Sequence, residues 1–490
     1  MPVLDAPSDP THPPRGIDRP LMPARIFRGR GRRLMLFTPL ILIVHAAGAP
    51  AATWRQVTPS GGTNIEEVGL ARTSDGVLHL AWVQKDAGDP TSQDIATRSL
   101  NPAGDALGRV SLIAARWAAL SNPALTLAPG GIRALFGGIR TSSANEPNDD
   151  LNTATSADGG NSWALQIGNA SNGPSAYASS VGATVLSNLT PVTAWGSSSG
   201  TFTAVGTAPG PVYDLQGQLG GDFGYDPGLV TSSAGVPYVA WASNASGRSG
   251  VWAQPLQPNG TPAAPPHLMP GILAGGFSQQ LQRTPVAARA GGGVYVAYPG
   301  GYPASTRVVL WRVGDAGSRV IAQAPGDHHA TVSATGDGRI WVVWSDTHGH
   351  VYASRSNRSA NTFGAVVSTR APGSGSIYSL DASAAPDGSI DVFALTDAGH
   401  SETFQTHLLP GLTVRATPNR LRPGRATAVT FTVSDAGDPV RGSVVTALGR
   451  TAKTAASGRV TMTLRPRRRF TVRATRVGYL AGRLGLSLAR

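Results

Sequence analysis

The sequence predicts an all-β protein in which a seven-bladed β-propeller, or alternatively a six-bladed one, precedes a small β-sandwich. Three observations support this: a strand-and-turn pattern that recurs about every 50 residues, a composition with 61 glycines and 38 prolines, and a final segment of strictly alternating apolar and polar residues. With 41% hydrophobic and 14% charged residues the chain can bury a core, which separates it from disordered turn-rich sequences.

Two bulk features bound the chemistry. The chain has no cysteine, which excludes disulfides, thiolate nucleophiles and cysteine-ligated zinc. Its 490 residues exceed what one hydrophobic core usually serves, so we expect at least two folding units.

Residues 1–51 are predicted to be an N-terminal extension and a secretory signal peptide. An arginine-rich stretch ends at Arg33, and an apolar run from Leu34 to Val44 follows it. That run is too short to span a bilayer, and Ala49 and Ala51 have the spacing of an A-x-A cleavage site. We expect cleavage before residue 52 and no transmembrane span afterwards, with an uncleaved anchor as the alternative.

Seven segments share one plan, in which a turn is followed by alternating apolar residues that end in an aromatic residue. The aromatic residues are Trp82, Phe136, Trp195, Trp241, Tyr298, Trp344 and Phe393. An apolar strand before the turn and a third strand with a second hairpin after it give four short antiparallel strands per repeat, as in a propeller blade. One blade cannot bury both of its faces, whereas blades arranged in a ring cover each other.

The seventh repeat ends after its third strand, at Glu402–Leu408, where the chain reaches Pro410. We expect the missing strand to be Trp54–Thr58, because a strand from the other end of the domain closes the ring and removes an open edge. The predicted domains are the propeller at 52–409 and a basic sandwich at 410–490.

One hairpin has the sequence Ser156-Ala-Asp158-Gly-Gly160-Asn-Ser-Trp163. We expect the aspartate to accept main-chain donors, the glycine to take a conformation that other residues avoid, and the tryptophan to pack beneath the turn. The segment matches the Asp box, and the chain here resembles the bacterial neuraminidase repeat and sialidase superfamily of β-propellers. A divergent copy is expected at Ser356–Phe363. The expected role of both is structural.

The resemblance implies an exo-sialidase-like glycoside hydrolase where activity is retained. Such enzymes use three arginines on the substrate carboxylate, a tyrosine nucleophile backed by glutamate, and an aspartate acid/base. The Arg-Ile-Pro context of the first arginine is absent, and the propeller glutamates Glu66, Glu67, Glu146 and Glu402 lie in no recognisable site context. We therefore predict no catalytic residue and favour a non-catalytic propeller, with the hydrolase as the alternative.

Two loop regions contain residue types that bind metals. His328, His329, His348 and His350 flank one predicted blade, where neutral imidazoles suit zinc or nickel. The loop Asn145–Asp150 is acidic, as calcium requires. Neither set has the carboxylate spacing of a known site, so exposed polar loops are the preferred interpretation, and no metal or cofactor is predicted.

The segment 410–490 alternates through five strands and resembles bacterial immunoglobulin-like domains, in which a Gly-Tyr pair, here Gly478 and Tyr479, closes the last strands. It contains fifteen arginines and one lysine against two aspartates, Asp435 and Asp438.

Four of these arginines cluster at one hairpin and are the expected contacts with an anionic surface. They are Arg465, Arg467, Arg468 and Arg469. Nucleic acid is disfavoured because the interleaved aromatic residues of single-strand binders are missing. The chain has only two lysines, Lys85 and Lys453, so a general preference for arginine is the alternative explanation.

The sequence thus predicts a secreted or cell-surface monomer whose loops recognise a glycan, an anionic cell-wall polymer or an extracellular protein. The candidate loops follow the aromatic strands, at Arg140–Asp150, Ser243–Ser249, Pro299–Thr306 and Ser345–His350. The basic domain is expected to space or anchor the propeller.

Overall fold

A computed structural model of the chain describes residues 53–58, 67–140, 150–166, 181–197, 200–208, 210–215, 224–243, 249–271, 282–301, 305–324, 326, 329–373, 375–397 and 401–489. One compact unit, His45–Arg490, contains all of them. The predicted leader, 1–51, lies outside the described residues. Every regular element within those ranges is a strand, so the all-β prediction is confirmed for them. Among them, no helix has the length and apolarity needed to cross a membrane.

The strands between residues 55 and 408 are short and pair antiparallel. In chain order they are β1 (Arg55–Gln56), β2 (Gly69–Arg72), β3 (Leu78–Lys85), β4 (Gln93–Leu100), β5 (Ala106–Trp117), β6 (Ala119–Leu120), β7 (Ala124–Ala128), β8 (Gly131–Ile139), β9 (Asp150–Ser156), β10 (Ala164–Gln166), β11 (Val181–Val185), β12 (Pro191–Ser197), β13 (Gly200–Val205), β14 (Tyr213–Asp214), β15 (Gly224–Thr231), β16 (Pro237–Ser243), β17 (Gly250–Pro255), β18 (His267–Leu268), β19 (Val286–Ala288), β20 (Val294–Gly300), β21 (Arg307–Arg312), β22 (Arg319–Gln323), β23 (Ala330–Ala334), β24 (Ile340–Ser345), β25 (His350–Arg355), β26 (Val367–Arg370), β27 (Ile377–Ala384), β28 (Ile390–Asp397) and β29 (Ser401–Leu408).

Within the described ranges these strands form seven sheets around a common axis. Sheet 1 contains β2–β5, sheet 2 β6–β10, sheet 3 β11–β14, sheet 4 β15–β18, sheet 5 β19–β22, sheet 6 β23–β26, and sheet 7 β27–β29 with β1. The innermost strand of each sheet, which is β7 in sheet 2, contacts that of the next, and β27 contacts β2. The contacts return to their starting point, which is the arrangement of a β-propeller; we call these sheets the ring.

The ring is closed by a strand from its N-terminal end. Strand β1 pairs antiparallel with β29, with Gln56 opposite Phe404. The main-chain N–H of Val57 donates to the carbonyl of Thr403 at 2.9 Å. The prediction that this segment completes the last sheet is confirmed.

Apolar side chains fill the spaces between neighbouring sheets of the ring. Each adjacent pair of sheets shares one buried cluster. Because both faces of each sheet are covered, the second strands are largely buried, and Ile340–Ser345 is buried along its whole length.

The predicted aromatic residues all lie in these clusters, with exposed fractions of 4% or less. Six of them face the preceding sheet. Each of these six lies six positions after a turn residue of positive φ, such as Gly338. Phe393 instead faces the following sheet, in a cluster with Trp82. Ala394, six positions after Gly388, faces the preceding one. The predicted equivalence of Phe393 is therefore wrong by one residue, and adjacent strand residues point to opposite faces.

Because successive strands run in opposite directions, each kind of connection leaves the ring on a fixed side. The face on which the innermost strands begin carries the connections between second and third strands, such as 86–92 and 346–349, and the connections from one sheet to the next; we call it the loop face. The opposite face carries the turns between first and second strands, such as 73–77, and the connections between third and fourth strands, such as 356–366; we call it the turn face. The ends of all four candidate loops lie on the loop face. Within them, 141–149, 244–248 and 302–304 lie outside the described residues.

The strands after residue 412 form two sheets. They are β30 (Thr413–Thr417), β31 (Arg420–Leu421), β32 (Thr427–Asp435), β33 (Asp438–Pro439), β34 (Val444–Ala447), β35 (Arg450–Lys453), β36 (Arg459–Leu464), β37 (Phe470–Thr475) and β38 (Gly482–Leu488). One sheet joins β30, β32, β33 and β36, and the other has the order β31-β38-β37-β34-β35. Both pack on one buried cluster that includes Phe431 and Val472; we call this unit the C-terminal sandwich.

The C-terminal sandwich contacts the turn face of the ring through buried charges. The guanidinium of Arg355 donates to the carboxylate of Asp435. The guanidinium of Arg339 lies 3.5 Å from the same carboxylate. Arg339 also lies 2.7 Å from Asp438. Only 1% of the Asp435 side chain and 4% of the Arg339 side chain are exposed. The ring of Tyr479 stacks on Arg355 at 5.5 Å, in cation–π geometry.

Candidate functional site at the ring axis

On the loop face, the innermost strands begin around the axis, and the residues there come from distant parts of the sequence. The segment Gln282–Pro285 leads into β19 and reaches across this opening. Its first two side chains contact five other sheets of the ring.

Arg283 binds the side of the opening formed by sheets 1, 2 and 3. Its Nε donates to the carbonyl of Val181 at 2.6 Å, and Nη2 donates to the carbonyl of Pro123 at 2.7 Å. Its Nη1 lies 3.5 Å from the carbonyl of Val68 and 3.4 Å from the carboxylate of Glu67. The guanidinium therefore has protein acceptors on each of its nitrogens.

Gln282 binds the opposite side, formed by sheets 6 and 7. Its Nε2 donates to the carbonyl of Leu380 at 2.6 Å and to that of Ala330 at 3.1 Å. Its Oε1 lies 3.2 Å from Nδ1 of His329. We call Gln282 and Arg283 together the axial cap.

Two carboxyl groups lie beside the axial cap, on Glu67 and Asp381, and both line a cavity of about 160 Å³. Burial raises the pKa of Asp381 to about 6, against the opposing effects of Arg283 and of the Val68 N–H. Glu67 is almost fully buried. Small-molecule sites usually measure about 300–1,000 Å³, so this cavity is smaller than a usual ligand site.

A β-bulge presents Tyr378 on the loop face next to the axial cap. The pairing of β27 with β28 shifts between Ile377 and Ser379, which makes Tyr378 the extra residue, and 41% of it is exposed. Two residues later, Leu380 is bonded to Gln282. Bulges redirect side chains next to binding sites, and an exposed amphipathic ring offers a surface on which a sugar ring can pack.

Among the histidines singled out in the sequence, the three that the structure describes do not converge. His329 is buried and contacts the axial cap. His350 lies 3.1 Å from Asp346, and His348 contacts Thr347, both in the hairpin between β24 and β25. His328 and most of the acidic loop, 145–149, lie outside the described residues. Within the described ranges, no group of three or more potential ligands is placed to hold a metal.

The segment Ser156–Trp163 forms the hairpin between β9 and β10 on the turn face. Ser162 donates to the carboxylate of Asp158 through its hydroxyl at 2.6 Å and its N–H at 2.9 Å. These bonds lower the pKa of Asp158 to about 2, and the bond from the hydroxyl has the larger effect. Gly160 has a φ of 92°, and Trp163 Nε1 donates to its carbonyl at 3.2 Å. The contacts hold the turn, on the face opposite the axial cap.

The segment Ser356–Phe363, expected to be a divergent copy, lies in the corresponding hairpin of sheet 6. Ala360 has a φ of 56° where the first hairpin has Gly160. The N–H of Arg358 donates to Asp438 at 3.0 Å. This hairpin therefore supports the C-terminal sandwich.

The four arginines predicted to contact an anionic surface are exposed, in the connection between β36 and β37. They belong to the C-terminal sandwich and are separate from the axial cap. Sequence reasoning missed both the axial cap and Tyr378. Their position is the signal that could have indicated them. The axial cap lies just before the innermost strand β19, and Tyr378 lies at the start of the innermost strand β27.

No family model and no curated protein matches the chain. Similar solved structures include an α-L-arabinanase from Penicillium chrysogenum complexed with arabinobiose, at 10% identity and a TM-score of 0.42 over 73% of this chain and 98% of that one. Virginiamycin B lyase from Staphylococcus aureus matches at 10% identity and a TM-score of 0.45, over 73% and 99%. A polysaccharide lyase matches at 10% identity and a TM-score of 0.43, over 69% and 89%. At TM-scores below 0.5 these similarities carry no argument about this chain.

Proposed function

We propose that this chain is an exported, non-catalytic β-propeller of seven blades that carries an immunoglobulin-like sandwich and binds a glycan on its loop face. The axial cap is the observation that carries the proposal. It occupies the position at the axis where a propeller hydrolase needs an open pocket.

The contacts of Arg283 count against a sialidase-like reaction. An arginine that binds a substrate carboxylate must offer its donors to the substrate. Arg283 instead directs them to main-chain carbonyls and to Glu67. Arg283 therefore has a structural role, in which it joins neighbouring sheets at the ring axis.

One observation favours the alternative, a glycoside hydrolase. A carboxyl group with a raised pKa, such as Asp381, beside a second carboxylate, such as Glu67, is the pair that glycoside hydrolysis requires. The cavity that they line, about 160 Å³, is smaller than a usual small-molecule site. We therefore place recognition outside the axial cap, on the loop face around Tyr378.

Turnover and binding, measured on the same purified protein, test this proposal. We expect binding to at least one glycan of an immobilised glycan panel, and no hydrolysis of a fluorogenic sialoside or of the bound glycan. The substitution Tyr378→Ala should weaken glycan binding about tenfold, the loss of one well-packed aromatic contact, and its melting temperature is measured in parallel. Val477→Ala, which truncates a side chain that is 98% exposed on the C-terminal sandwich, is the matched control.

Two results would overturn the proposal. One is turnover that Asp381→Asn and Glu67→Gln abolish without lowering the melting temperature, because that assigns chemistry to the axis. The other is the absence of binding to any glycan of the panel, which removes the proposed ligand class.

A further inference from the structure

Two turns of the C-terminal sandwich bring arginines together that are distant in sequence. The N–H of Gly424 donates to the carbonyl of Pro466 at 2.7 Å, and Arg465 Nε donates to the carbonyl of Gly424 at 2.5 Å. The turn before β32 therefore lies against the connection between β36 and β37. Six exposed arginines surround this contact, and we call them the arginine tip: Arg422, Arg425, Arg465, Arg467, Arg468 and Arg469.

The arginine tip lies at the end of the C-terminal sandwich that points away from the ring. Strand β32 starts at Thr427, beside the tip, and ends at Asp435, which is buried against Arg339 and Arg355 of the ring. At about 3.3 Å per residue, the nine residues of this strand separate the two ends by about 26 Å. The ring and the arginine tip thus occupy opposite ends of the C-terminal sandwich.

The charges of the C-terminal sandwich are separated in the same direction. Its two acidic residues, Asp435 and Asp438, both pair with Arg339 at the ring. No acidic residue of the segment 410–490 is left to balance the arginine tip, because these two are the only ones in it. Clustered like charges raise the local concentration of an oppositely charged partner.

The side chains of the arginine tip also define the class of partner. None of the large hydrophobic residues that are exposed in the described part of the chain lies in residues 422–425 or 465–469. A surface without apolar anchors does not insert into a membrane interface, and one without exposed aromatic rings does not stack nucleotide bases. Guanidinium groups bind the oxygens of sulfate, carboxylate and phosphate in a bidentate manner.

We propose that the arginine tip binds a linear polysaccharide that carries regularly spaced anionic groups. The tip would hold the protein on such a polymer while the loop face of the ring, on the other side of the molecule, remains accessible. This site is separate from the proposed glycan site around Tyr378, so each can be present without the other.

Retention of the full chain on immobilised polymers tests the proposal. The probes are dextran sulfate and polygalacturonate, with neutral dextran as the uncharged control; the first two distinguish sulfate from carboxylate. Two double variants remove the same charge at different places. Arg467→Gln/Arg468→Gln changes the arginine tip, and Arg415→Gln/Arg459→Gln changes exposed positions opposite Thr432 on the outer face of one sheet.

We expect binding to at least one anionic polymer that weakens as salt rises, and no binding to neutral dextran. In about 0.15 M NaCl the tip variant should bind about tenfold more weakly, equivalent to losing one charge-assisted hydrogen bond. The control variant should change binding by less than about threefold. Tyr378→Ala should leave this binding unchanged, which separates failure of this proposal from failure of the glycan site.

Three outcomes would overturn the proposal. An equal loss in the two double variants would mean that net charge, not the arginine tip, governs binding. Equal or tighter binding to a mixed-sequence DNA duplex would assign the site to nucleic acid. Tighter binding to phosphatidylcholine vesicles containing phosphatidylglycerol than to either polymer would assign it to a lipid surface.

Discussion

Asp381, Glu67 and Arg283 meet at the axis of the ring, where solvent is scarce and each charge depends on its partners. Asp381 retains a raised pKa, near 6, despite the guanidinium of Arg283, because the desolvation of its carboxylate is the larger effect. The folded state therefore holds this proton more tightly than the unfolded state does.

This shift gives a pH dependence with a defined sign. Stability from Asp381 is fully present below its ordinary pKa of 3.8 and is lost as the pH rises through about 6. Asp381→Asn should therefore raise the melting temperature at about pH 7, and the difference from the native chain should vanish towards about pH 4. Calorimetric melting temperatures across this range check it. A lower melting temperature of the variant at neutral pH would mean that pairing with Arg283 outweighs burial.

Some of these residues can be predicted from the sequence, and others cannot. The buried aromatic residues were predicted because each follows a turn at a fixed spacing, and counting six positions from Gly388 identifies Ala394 in place of Phe393. Gln282 and Arg283 were not predicted because their partners lie on five other sheets, and no local pattern records such contacts. Tyr378 depends on a bulge, which shifts one strand by one residue without any distinctive sequence.

At the scale of the strand, glycines allow the innermost strands to approach one another. A Cβ atom on Gly228 of β15 would lie 2.0 Å from the carbonyl oxygen of Thr284 in the next sheet. Gly69 and Gly182 have the same relation to their neighbours, at 2.3 and 2.1 Å. The innermost strands can therefore approach this closely only because these three residues have no Cβ atom.

Substitution of Gly228 tests this packing. Gly228→Ala should destabilise the protein by about 2–3 kcal/mol, because the main chain must move to admit one methyl group. The matched control is Gly336→Ala, where a Cβ atom would have no other atom within 4 Å. Chemical denaturation of both variants measures the difference. Equal stabilities would contradict the close approach of the innermost strands.

Most of the strands follow from the sequence, whereas their grouping follows from it only in part. Alternating β-branched and aromatic residues between glycine turns predict each second strand. The prediction of β1 within the last sheet also succeeds, because the seventh repeat lacks its fourth strand and an open edge would be unfavourable.

At the scale of the whole molecule, the turn face carries the C-terminal sandwich, and the loop face does not contact it through any of the described charge pairs. Asp435 joins the two parts by accepting from Arg355 and lying beside Arg339. These contacts were not predicted, since the two arginines and the aspartate are about 80 or more residues apart.

The substitution Asp435→Asn should loosen this junction. It leaves two nearly buried guanidinium groups without their shared carboxylate, a loss that we expect to outweigh the burial that raises the pKa of Asp435. We expect a lower melting temperature and faster release of the C-terminal sandwich by a protease. Asp438→Asn removes a carboxylate whose side chain is 23% exposed, so its effect should be smaller. Equal effects of the two variants would contradict the buried role of Asp435.

An engineered disulfide tests whether the ring is closed by its N-terminal strand, because the chain has no cysteine of its own. Gln56 and Phe404 are opposite each other, next to the hydrogen-bonded pair of Val57 and Thr403. Their Cα atoms are therefore about 4.5 Å apart, within the range of a disulfide. The control pair places the second cysteine at Gln323, on the outer strand of sheet 5.

The measurement is the mobility of the oxidised proteins in a denaturing gel without reductant. We expect that Gln56→Cys/Phe404→Cys forms a closed loop that migrates faster than its reduced form, whereas Gln56→Cys/Gln323→Cys does not. Absence of the closed loop in the first variant, or its formation in both, would contradict a ring closed by its N-terminal strand.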